Sequence, residues 1–151
     1  MATVRGLLAG FAVVLASTAV MAQVSTSDRS IRYRQGVLRA MDWQFGVLVG
    51  MVKGERPYDK ALALRSATFV EQLSHMPWDG FGPGTESGAP TKAKADIWLD
   101  TAKFKQLQDE LMAQTAKLPA AAQGGDAAQL APTVKAVDEA CRNCHRAFRE
   151  R

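Results

Sequence analysis

Both cysteines of this 151-residue chain lie in one short run near its C-terminus, Cys141-Arg142-Asn143-Cys144-His145. A C-x-x-C-H run is the attachment site of a c-type haem. The two thiols add across the vinyl groups of the porphyrin, and the histidine imidazole takes one axial position on the iron. The chain must therefore fold around a large apolar ring. The motif leaves the other axial position of the iron undetermined.

A redox-active dithiol is the competing interpretation of the two cysteines. That kind of site is typical of a βαβ context, and no such pattern surrounds Cys141. An oxidising compartment would otherwise pair two neighbouring thiols as a disulfide. The sequence therefore favours haem c, bound covalently through Cys141 and Cys144 with His145 as an axial ligand.

The N-terminal residues 1–22 have the pattern of a secretory signal peptide. Arg5 supplies the positive charge, an uncharged apolar run extends from Gly6 to Val20, and Val20-Met21-Ala22 forms the expected cleavage site. A membrane anchor is the alternative, but the run is shorter than the ~20 residues that span a bilayer. We expect export, a periplasmic domain over residues 23–151, and no membrane insertion.

Charge and length limit the remaining classes of protein. The formal net charge is only +4 at pH 7, and charges of both signs are interspersed. This pattern gives no support for nucleic-acid binding. A chain of this length buries one core, so we expect a single domain.

Four amphipathic segments are separated by three breaks. The spacing of apolar residues predicts helices over about residues 27–52, 57–76, 92–118 and 126–149. We expect Thr26 or Ser27 to cap the first helix and Pro57 to begin the second. Pro132 should either kink the last helix or mark its true start. Helices with short connections predict an all-α, antiparallel four-helix bundle, with the haem entering its core from the C-terminal helix.

The predicted core comes from the apolar faces of these helices, together with two aromatics of a Gly-rich loop, Trp78 and Phe81. The faces consist of Ile31, Leu38, Met41, Phe45, Leu48 and Val52 in the first helix, Leu62, Phe69, Leu73 and Met76 in the second, Ile97, Phe104, Leu111 and Leu118 in the third, and Leu130, Val134, Val137 and Phe148 with both cysteines in the fourth.

The second axial ligand cannot be chosen from spacing. The candidates are Met41, Met51, Met76, Met112 and His75, and an open position is the remaining option. A methionine ligand would suit electron transfer, but a methionine on a core face more often serves packing.

Arg149 also has two interpretations. It follows His145 by one helical turn, so it either contacts the haem or stabilises the helix C-terminus. Spacing favours neither.

A series of short motifs, in order along the chain, closely resembles cytochrome c′. The motifs are Tyr33-Arg34-Gln35, Lys53-Gly54, Pro57-Tyr58, Leu73 to Pro77-Trp78, Phe81-Gly82-Pro83-Gly84-Thr85-Glu86, Ile97-Trp98, and the haem motif followed by Phe148-Arg149. The resemblance covers about Ile31 to Arg149. It implies a four-helix bundle, usually a homodimer, with one haem c on the last helix.

The resemblance also implies roles for single residues. His145 would be the only protein ligand of a five-coordinate, high-spin iron, and Leu38 would face the vacant side. A low-spin relative, cytochrome c-556, has a methionine ligand on this helix, whereas Leu38 has no lone pair to donate. Arg34 and Gln35 would contact the haem propionates, and Arg149 would lie beside the proximal face.

The leading functional hypothesis is a haem protein that binds nitric oxide and carbon monoxide at a hindered, apolar site. Leu38 offers no hydrogen-bond donor to polarised dioxygen, so dioxygen should bind poorly. The alternative is a periplasmic electron-transfer cytochrome with a redox partner protein. We do not expect an enzyme, because the sequence suggests no distal His and Arg pair to assist peroxide chemistry.

Overall fold

The computed structural model describes residues 25–151, so the predicted signal peptide over residues 1–22 lies outside the described part of the chain. Helical elements dominate it. They are α1 (Thr26–Val52), α2 (Lys60–Ser74), a 3-10 helix (Pro77–Phe81), α3 (Asp96–Leu99), α4 (Thr101–Thr115), α5 (Leu118–Gln123) and α6 (Ala127–Phe148).

The four long helices form a closed ring of contacts. Helix α1 packs against α2 and α6, and α4 packs against the same two neighbours. The predicted all-α four-helix bundle is therefore confirmed. Within residues 25–151, no helix is both long and apolar enough to cross a membrane.

The first two helices are capped at their N-termini by residues other than the expected ones. The Ser25 hydroxyl accepts a hydrogen bond from the Asp28 backbone N–H at 3.0 Å, so Thr26 and Ser27 were the wrong N-caps. The Asp59 carboxylate accepts from the Leu62 N–H at 2.9 Å. Helix α2 therefore begins at Lys60, because this cap satisfies one of its free backbone donors.

The predicted third helix over residues 92–118 is two separate helices, α3 and α4, and the break predicted after Leu118 contains a further short helix, α5. The Asp100 carboxylate accepts from the Lys103 N–H at 3.1 Å and starts α4, which separates it from α3. The buried positions are nevertheless confirmed: Ile97, Phe104, Leu111 and Leu118 all lie in the core. The seven-residue spacing continues across the breaks, which is why it concealed them.

The prediction for the buried face of α2 was right only in part: Leu62 and Leu73 are partly buried against the core, but the most deeply buried residues lie beside them. The buried residues of α2 are small ones, Ala63, Ser66, Ala67, Val70 and Ser74. Phe69 and Met76 are 41% and 43% exposed. Small side chains let α2 approach its neighbours closely, so the bulkier residues remain on its flank.

Helix α6 begins at Ala127, after the Asp126 carboxylate accepts from the Gln129 N–H at 2.8 Å. Pro132 lies inside the helix, so it does not mark the start. The C-terminal end of α6 is hydrogen-bonded to the segment that precedes α3. The Lys94 N–H donates to the Phe148 carbonyl at 3.0 Å, and the Glu150 N–H donates to the Lys92 carbonyl at 2.8 Å.

Two apolar clusters fill the bundle. The main cluster joins α1, α2, α4, α5 and α6, and the aromatic cluster lies at one end, under the loop that follows α2. The buried members of the main cluster are Met41, Leu48, Met51, Ala63, Ala67, Val70, Leu111, Leu118, Ala122, Leu130, Val134, Val137 and Ala140. The aromatic cluster is Ile97, Phe104 and Phe148, with Trp78, Phe81 and Trp98 packed against them.

The loop approaches α1 most closely at Gly80. A Cβ atom added there would lie 2.7 Å from the Arg34 Cβ and 2.8 Å from the Ser30 carbonyl oxygen. Both atoms belong to α1 and cannot move independently of the helix. Gly80 therefore allows the loop to cover the aromatic cluster.

We expect Gly80→Ala to destabilise the haem-loaded protein by about 1–3 kcal/mol, because the added methyl group overlaps α1. Gly82→Ala is the matched control, since a Cβ there meets its nearest atom, the Asp79 carbonyl oxygen, only at 4.0 Å. Urea unfolding of the two variants measures the difference. Equal free energies of unfolding would contradict the close approach.

Candidate haem site

The residues of the C-x-x-C-H motif lie on one face of α6. Successive residues of a helix are about 100° apart, which places Cys141, Cys144, His145 and Phe148 within about a third of the circumference. Cys141 packs against the main cluster, and Cys144 packs against the aromatic cluster. The two attachment points therefore lie where the two clusters meet.

Both cysteines are free thiols and partly buried. Burial is the main cause that raises the pKa of each thiol to about 11. A redox-active dithiol instead depends on a lowered thiol pKa, because the thiolate is the nucleophile. The surroundings of Cys141 and Cys144 therefore disfavour the dithiol interpretation.

The surroundings of His145 favour the neutral form of its imidazole. Partial burial of its ring lowers the pKa of the imidazole, and the positive charge of Arg149 lowers it further, while Asp42 acts in the opposite direction. A neutral imidazole has the lone pair that metal binding requires. Arg149 thus lies within electrostatic reach of His145, and its direct contact with haem stays a prediction.

Helix α1 faces the motif through one stripe of side chains. The charge of Asp42, on α1, acts on two residues of the motif: it contributes to the raised pKa of Cys141 and opposes the lowering of the pKa of His145. Leu38 lies one turn before Asp42 and packs, like Cys141 and Phe45, against the main cluster. The middle of α1 is therefore the surface opposite the motif.

This set of residues fits a haem c. Two thiols and one imidazole are the side chains that its attachment uses, and the apolar side chains of α1 and the aromatic cluster flank them. Among residues 25–151, no group of three or more His, Cys, Asp or Glu side chains could hold a bare metal ion. Two thiols and one imidazole suit an iron that is already coordinated by porphyrin nitrogens.

Arg34 has a structural role that the sequence did not predict. It is only 1% exposed, and its Nη1 donates to the carbonyls of Gly80 and Thr85 at 2.7 and 3.0 Å. Its guanidinium carbon lies 4.4 Å from the Phe81 ring centroid and 5.6 Å from that of Trp98. Burial lowers the pKa of Arg34. Arg34 therefore holds the loop against α1, and its contact with a propionate stays a prediction.

Gln35 likewise reaches the loop. Its Nε2 donates to the Pro90 carbonyl at 2.9 Å. Gln35 and Arg34 donate mainly to backbone carbonyls, which every sequence contains. Only the Gly- and Pro-rich composition of the loop could have indicated these contacts. Whether Gln35 also contacts a propionate stays a prediction.

The other candidate axial ligands occupy different surroundings. Met41 and Met51 are buried in the main cluster, and Met112 is partly buried on α4. Met76 is exposed beyond the end of α2. His75 is exposed there too, with its Nε2 3.5 Å from a carboxylate oxygen of Glu71.

Taken together, a four-helix bundle with a C-x-x-C-H motif on an inward face defines a c-type haem protein. The family model for cytochrome c′ matches residues 29–149. The cytochrome c′ of Alcaligenes xylosoxydans xylosoxydans is 38% identical over 129 residues, which covers 85% of this chain and 99% of that protein. The chain therefore belongs to the cytochrome c′ family, and haem c is its cofactor.

Solved structures agree with this assignment. The crystal structure of cytochrome c′ from Rubrivivax gelatinosus has a TM-score of 0.77 at 38% identity, and the match covers 80% of this chain and 94% of that one. A nitric oxide complex of a leucine-to-alanine mutant of cytochrome c prime from Alcaligenes xylosoxidans has a TM-score of 0.76 at 38% identity, and it covers 83% and 96%.

We expect Arg34→Met to destabilise the haem-loaded protein by about 2–4 kcal/mol, because the buried loop carbonyls lose their donors. Methionine keeps an unbranched, largely apolar stem and removes the guanidinium. Arg32→Met is the matched control: Arg32 is 70% exposed in its ion pair with Asp28, so its loss should cost clearly less than the loss of Arg34. Chemical denaturation of the two variants provides the measurement.

Proposed function

We propose that this chain is an exported, periplasmic haem c protein that binds nitric oxide and carbon monoxide at a hindered apolar site. His145 is its only iron ligand from protein, and Leu38 occupies the side opposite. The observation that supports this proposal is that Leu38 of α1 and Cys141 of the motif both pack against the main cluster. The hydrocarbon side chain of Leu38 has no atom that can bind iron.

In this proposal Cys141 and Cys144 carry the thioether bonds, and the neutral ring of His145 faces the iron. When bound, haem supplies the coordination position that a small ligand occupies. The protein decides which ligands reach that position. Leu38 limits access by its bulk, and the main cluster beside it keeps the pocket apolar.

An apolar pocket favours some diatomic ligands over others. Dioxygen gains from a hydrogen-bond donor when it binds to a haem, whereas carbon monoxide and nitric oxide need less such help. Leu38 offers no donor and therefore discriminates against dioxygen. The nitric oxide complex of the Alcaligenes relative supports the same ligand class for this chain.

The surroundings of the site support ligand binding rather than turnover or simple electron transfer. General acid–base catalysis needs a titratable side chain at the reacting atoms, and a leucine opposite His145 provides none. Met41, the methionine nearest to Leu38 along α1, is buried in the main cluster. Packing is therefore its proposed role, and it does not act as an electron-transfer ligand.

We place the propionates at the Arg34 and Gln35 end of the α1 stripe. The guanidinium of Arg34 donates to loop oxygens, and none of these acceptors carries a full negative charge. A carboxylate nearby would therefore gain a charge-assisted interaction. Gln35 lies one turn before Leu38 on the same stripe.

Gas binding and the role of Leu38 are tested together. We expect the ferrous protein to change its absorption spectrum with nitric oxide and with carbon monoxide. Leu38→Ala should raise the carbon monoxide association rate by at least ~10-fold, because the smaller side chain removes the steric barrier at the vacant position.

Leu64→Ala is the matched control, because Leu64 lies on α2 and also packs against the main cluster. It should lose stability and keep the carbon monoxide rate of the wild type. If ferrous wild-type protein shows no spectral change with nitric oxide, gas binding is wrong. If both variants accelerate binding equally, Leu38 has no special role.

We further propose that the chain forms a homodimer through the flank shared by α1 and α2. On α1 this flank carries Tyr33, Gly36, Ala40 and Trp43, and beside them lie Phe69 of α2 and Met76 just beyond the end of α2. Trp43 is 77% exposed, and a Cβ added at Gly36 would meet no atom within 4 Å. The Tyr33 hydroxyl donates to the Met76 carbonyl at 2.9 Å, which joins the two halves. An exposed apolar surface of this kind marks an interaction site.

We expect Trp43→Glu to weaken dimerisation by at least ~10-fold, because a central aromatic residue contributes strongly to an interface. Leu99→Glu is the control, since Leu99 is 80% exposed and lies on α3, away from this flank. Sedimentation velocity over a range of concentrations measures both. Unchanged association of the Trp43 variant would contradict the proposed interface.

A further inference from the structure

The C-terminal end of α6 is held from outside the helix by a short paired segment. The Lys94 N–H donates to the Phe148 carbonyl at 3.0 Å, and the Glu150 N–H donates to the Lys92 carbonyl at 2.8 Å. These two hydrogen bonds flank an isolated antiparallel β-bridge. We refer to this pairing of the segment before α3 with the end of α6 as the C-terminal clamp.

The clamp acts on the turn of α6 that carries His145. The His145 carbonyl accepts a hydrogen bond from the Arg149 N–H at 3.1 Å, and this bond closes the last turn of the helix. The final carbonyls of a helix have no partner within it, and the clamp supplies one to Phe148. His145 therefore lies in a turn whose end is fixed by hydrogen bonds from another part of the chain.

Thr91 organises the clamp through one hydroxyl group. Its Oγ1 accepts from the Ala93 N–H at 3.2 Å, a local turn that leads the backbone into the paired segment. The same oxygen accepts from Nη2 of Arg34 at 3.3 Å. Arg34 is buried, and its Nη1 is anchored on loop carbonyls. A series of hydrogen bonds therefore leads from α1 through Thr91 to the end of α6.

The aromatic cluster holds the same end of α6 in a different way. The Phe148 side chain is buried, and its ring centroid lies 5.3 Å from that of Phe104. Apolar burial is non-directional, whereas a hydrogen bond depends on angle as well as distance. The aromatic contact therefore keeps the helix end in the bundle, and the clamp fixes the orientation of its last turn.

We propose that Thr91 is a positioning residue for His145: through the clamp it fixes the last turn of α6 and so sets the strength of the bond between the imidazole and the haem iron. The inference rests on the proposed function, because it needs His145 as the axial ligand. Partners of a metal-binding histidine usually bond to its other ring nitrogen, whereas Thr91 acts through the backbone of the turn. A looser turn lets the imidazole depart from its best orientation, which weakens the bond.

Thr91→Val tests this role, because valine keeps the shape of threonine and removes the hydroxyl. We expect the iron–histidine stretching band in the resonance Raman spectrum of the ferrous protein to move to lower frequency and to broaden. Hydrogen exchange of peptides covering residues 91–95 and 146–151, followed by mass spectrometry, should be ~3- to 10-fold faster, because the clamp loses the hydroxyl that holds it. Thr91→Ser restores a hydroxyl and should behave as wild type in both measurements.

Thr68→Val is the matched control, because Thr68 is a partly buried threonine of α2 whose Oγ1 donates to the Leu64 carbonyl at 2.9 Å. It should leave the band and the exchange of both peptides unchanged. An unchanged band in Thr91→Val would overturn the inference even if exchange is faster, because the clamp would then be structural only. The same shift in Thr68→Val, or a shifted band in Thr91→Ser, would overturn it as well.

A second variant breaks the clamp without touching Thr91. Glu150→Pro removes the N–H that donates to Lys92, and the extended backbone of Arg149, with φ −124° and ψ 134°, suits the residue before a proline. We expect the same decrease in stretching frequency. Glu150→Gln keeps the N–H, removes the same charge and should match wild type. If Thr91→Val yields no haem-loaded protein, this pair decides: equal bands in the two Glu150 variants overturn the inference.

The wild-type spectrum separates this inference from the proposed function. The iron–histidine band is observed for ferrous iron that has histidine as its only axial ligand. If wild type shows the band and no clamp variant changes it, the role of Thr91 fails and the proposed site stands. If wild type shows no such band, His145 is not the only axial ligand and both proposals fail.

Discussion

The packing of one face of α6 against the middle of α1 is the constraint on which the site depends. Cys141 and Cys144 project from that face into different apolar clusters, so a haem joined to both must lie where the clusters meet. Helix α1 packs against α6, and the charge of Asp42 on α1 acts on the pKa of both Cys141 and His145. The residues of α1 consequently decide what lies across the site from His145.

The end of the bundle is held by a second set of interactions that supports this packing. Arg34 on α1 binds the carbonyls of the loop and lies against the Phe81 ring. Phe81 packs on Phe104, with ring centroids 5.1 Å apart, and Phe104 packs on Phe148 of α6 at 5.3 Å. Polar and aromatic contacts thus connect the helix of Leu38 with the helix of the haem motif.

The sequence predicted the haem attachment, the helical bundle and most buried positions of α4 and α6, because motif spacing and apolar periodicity are local properties. On α1 it predicted Ile31, Met41 and Leu48 but missed Val37 and Met51. On α2 it was right only for Leu62 and Leu73, which pack against the main cluster, because the most deeply buried residues there are Ala63, Ala67 and other small ones and the bulky Phe69 remains exposed. It also missed the break at Asp100, since a capping carboxylate interrupts a helix without disturbing the apolar spacing.

The electrostatics of the site could not be predicted from the sequence for a different reason. Asp42 acts on the pKa of Cys141 and of His145 only because α1 packs against α6, and residues about 100 positions apart carry no local signal of that packing. The same holds for Arg34, whose partners are backbone carbonyls of a distant loop. Motifs identified the cofactor, whereas tertiary packing determines which side chains surround it.

The central claim is that His145 is the only protein ligand of the iron and that Leu38 leaves the opposite position open. The electron paramagnetic resonance spectrum of the ferric wild-type protein tests it most directly. An open position predicts a high-spin signal. A low-spin signal, accompanied by a sulfur-to-iron absorption band, would show that a methionine binds the iron and would contradict the claim.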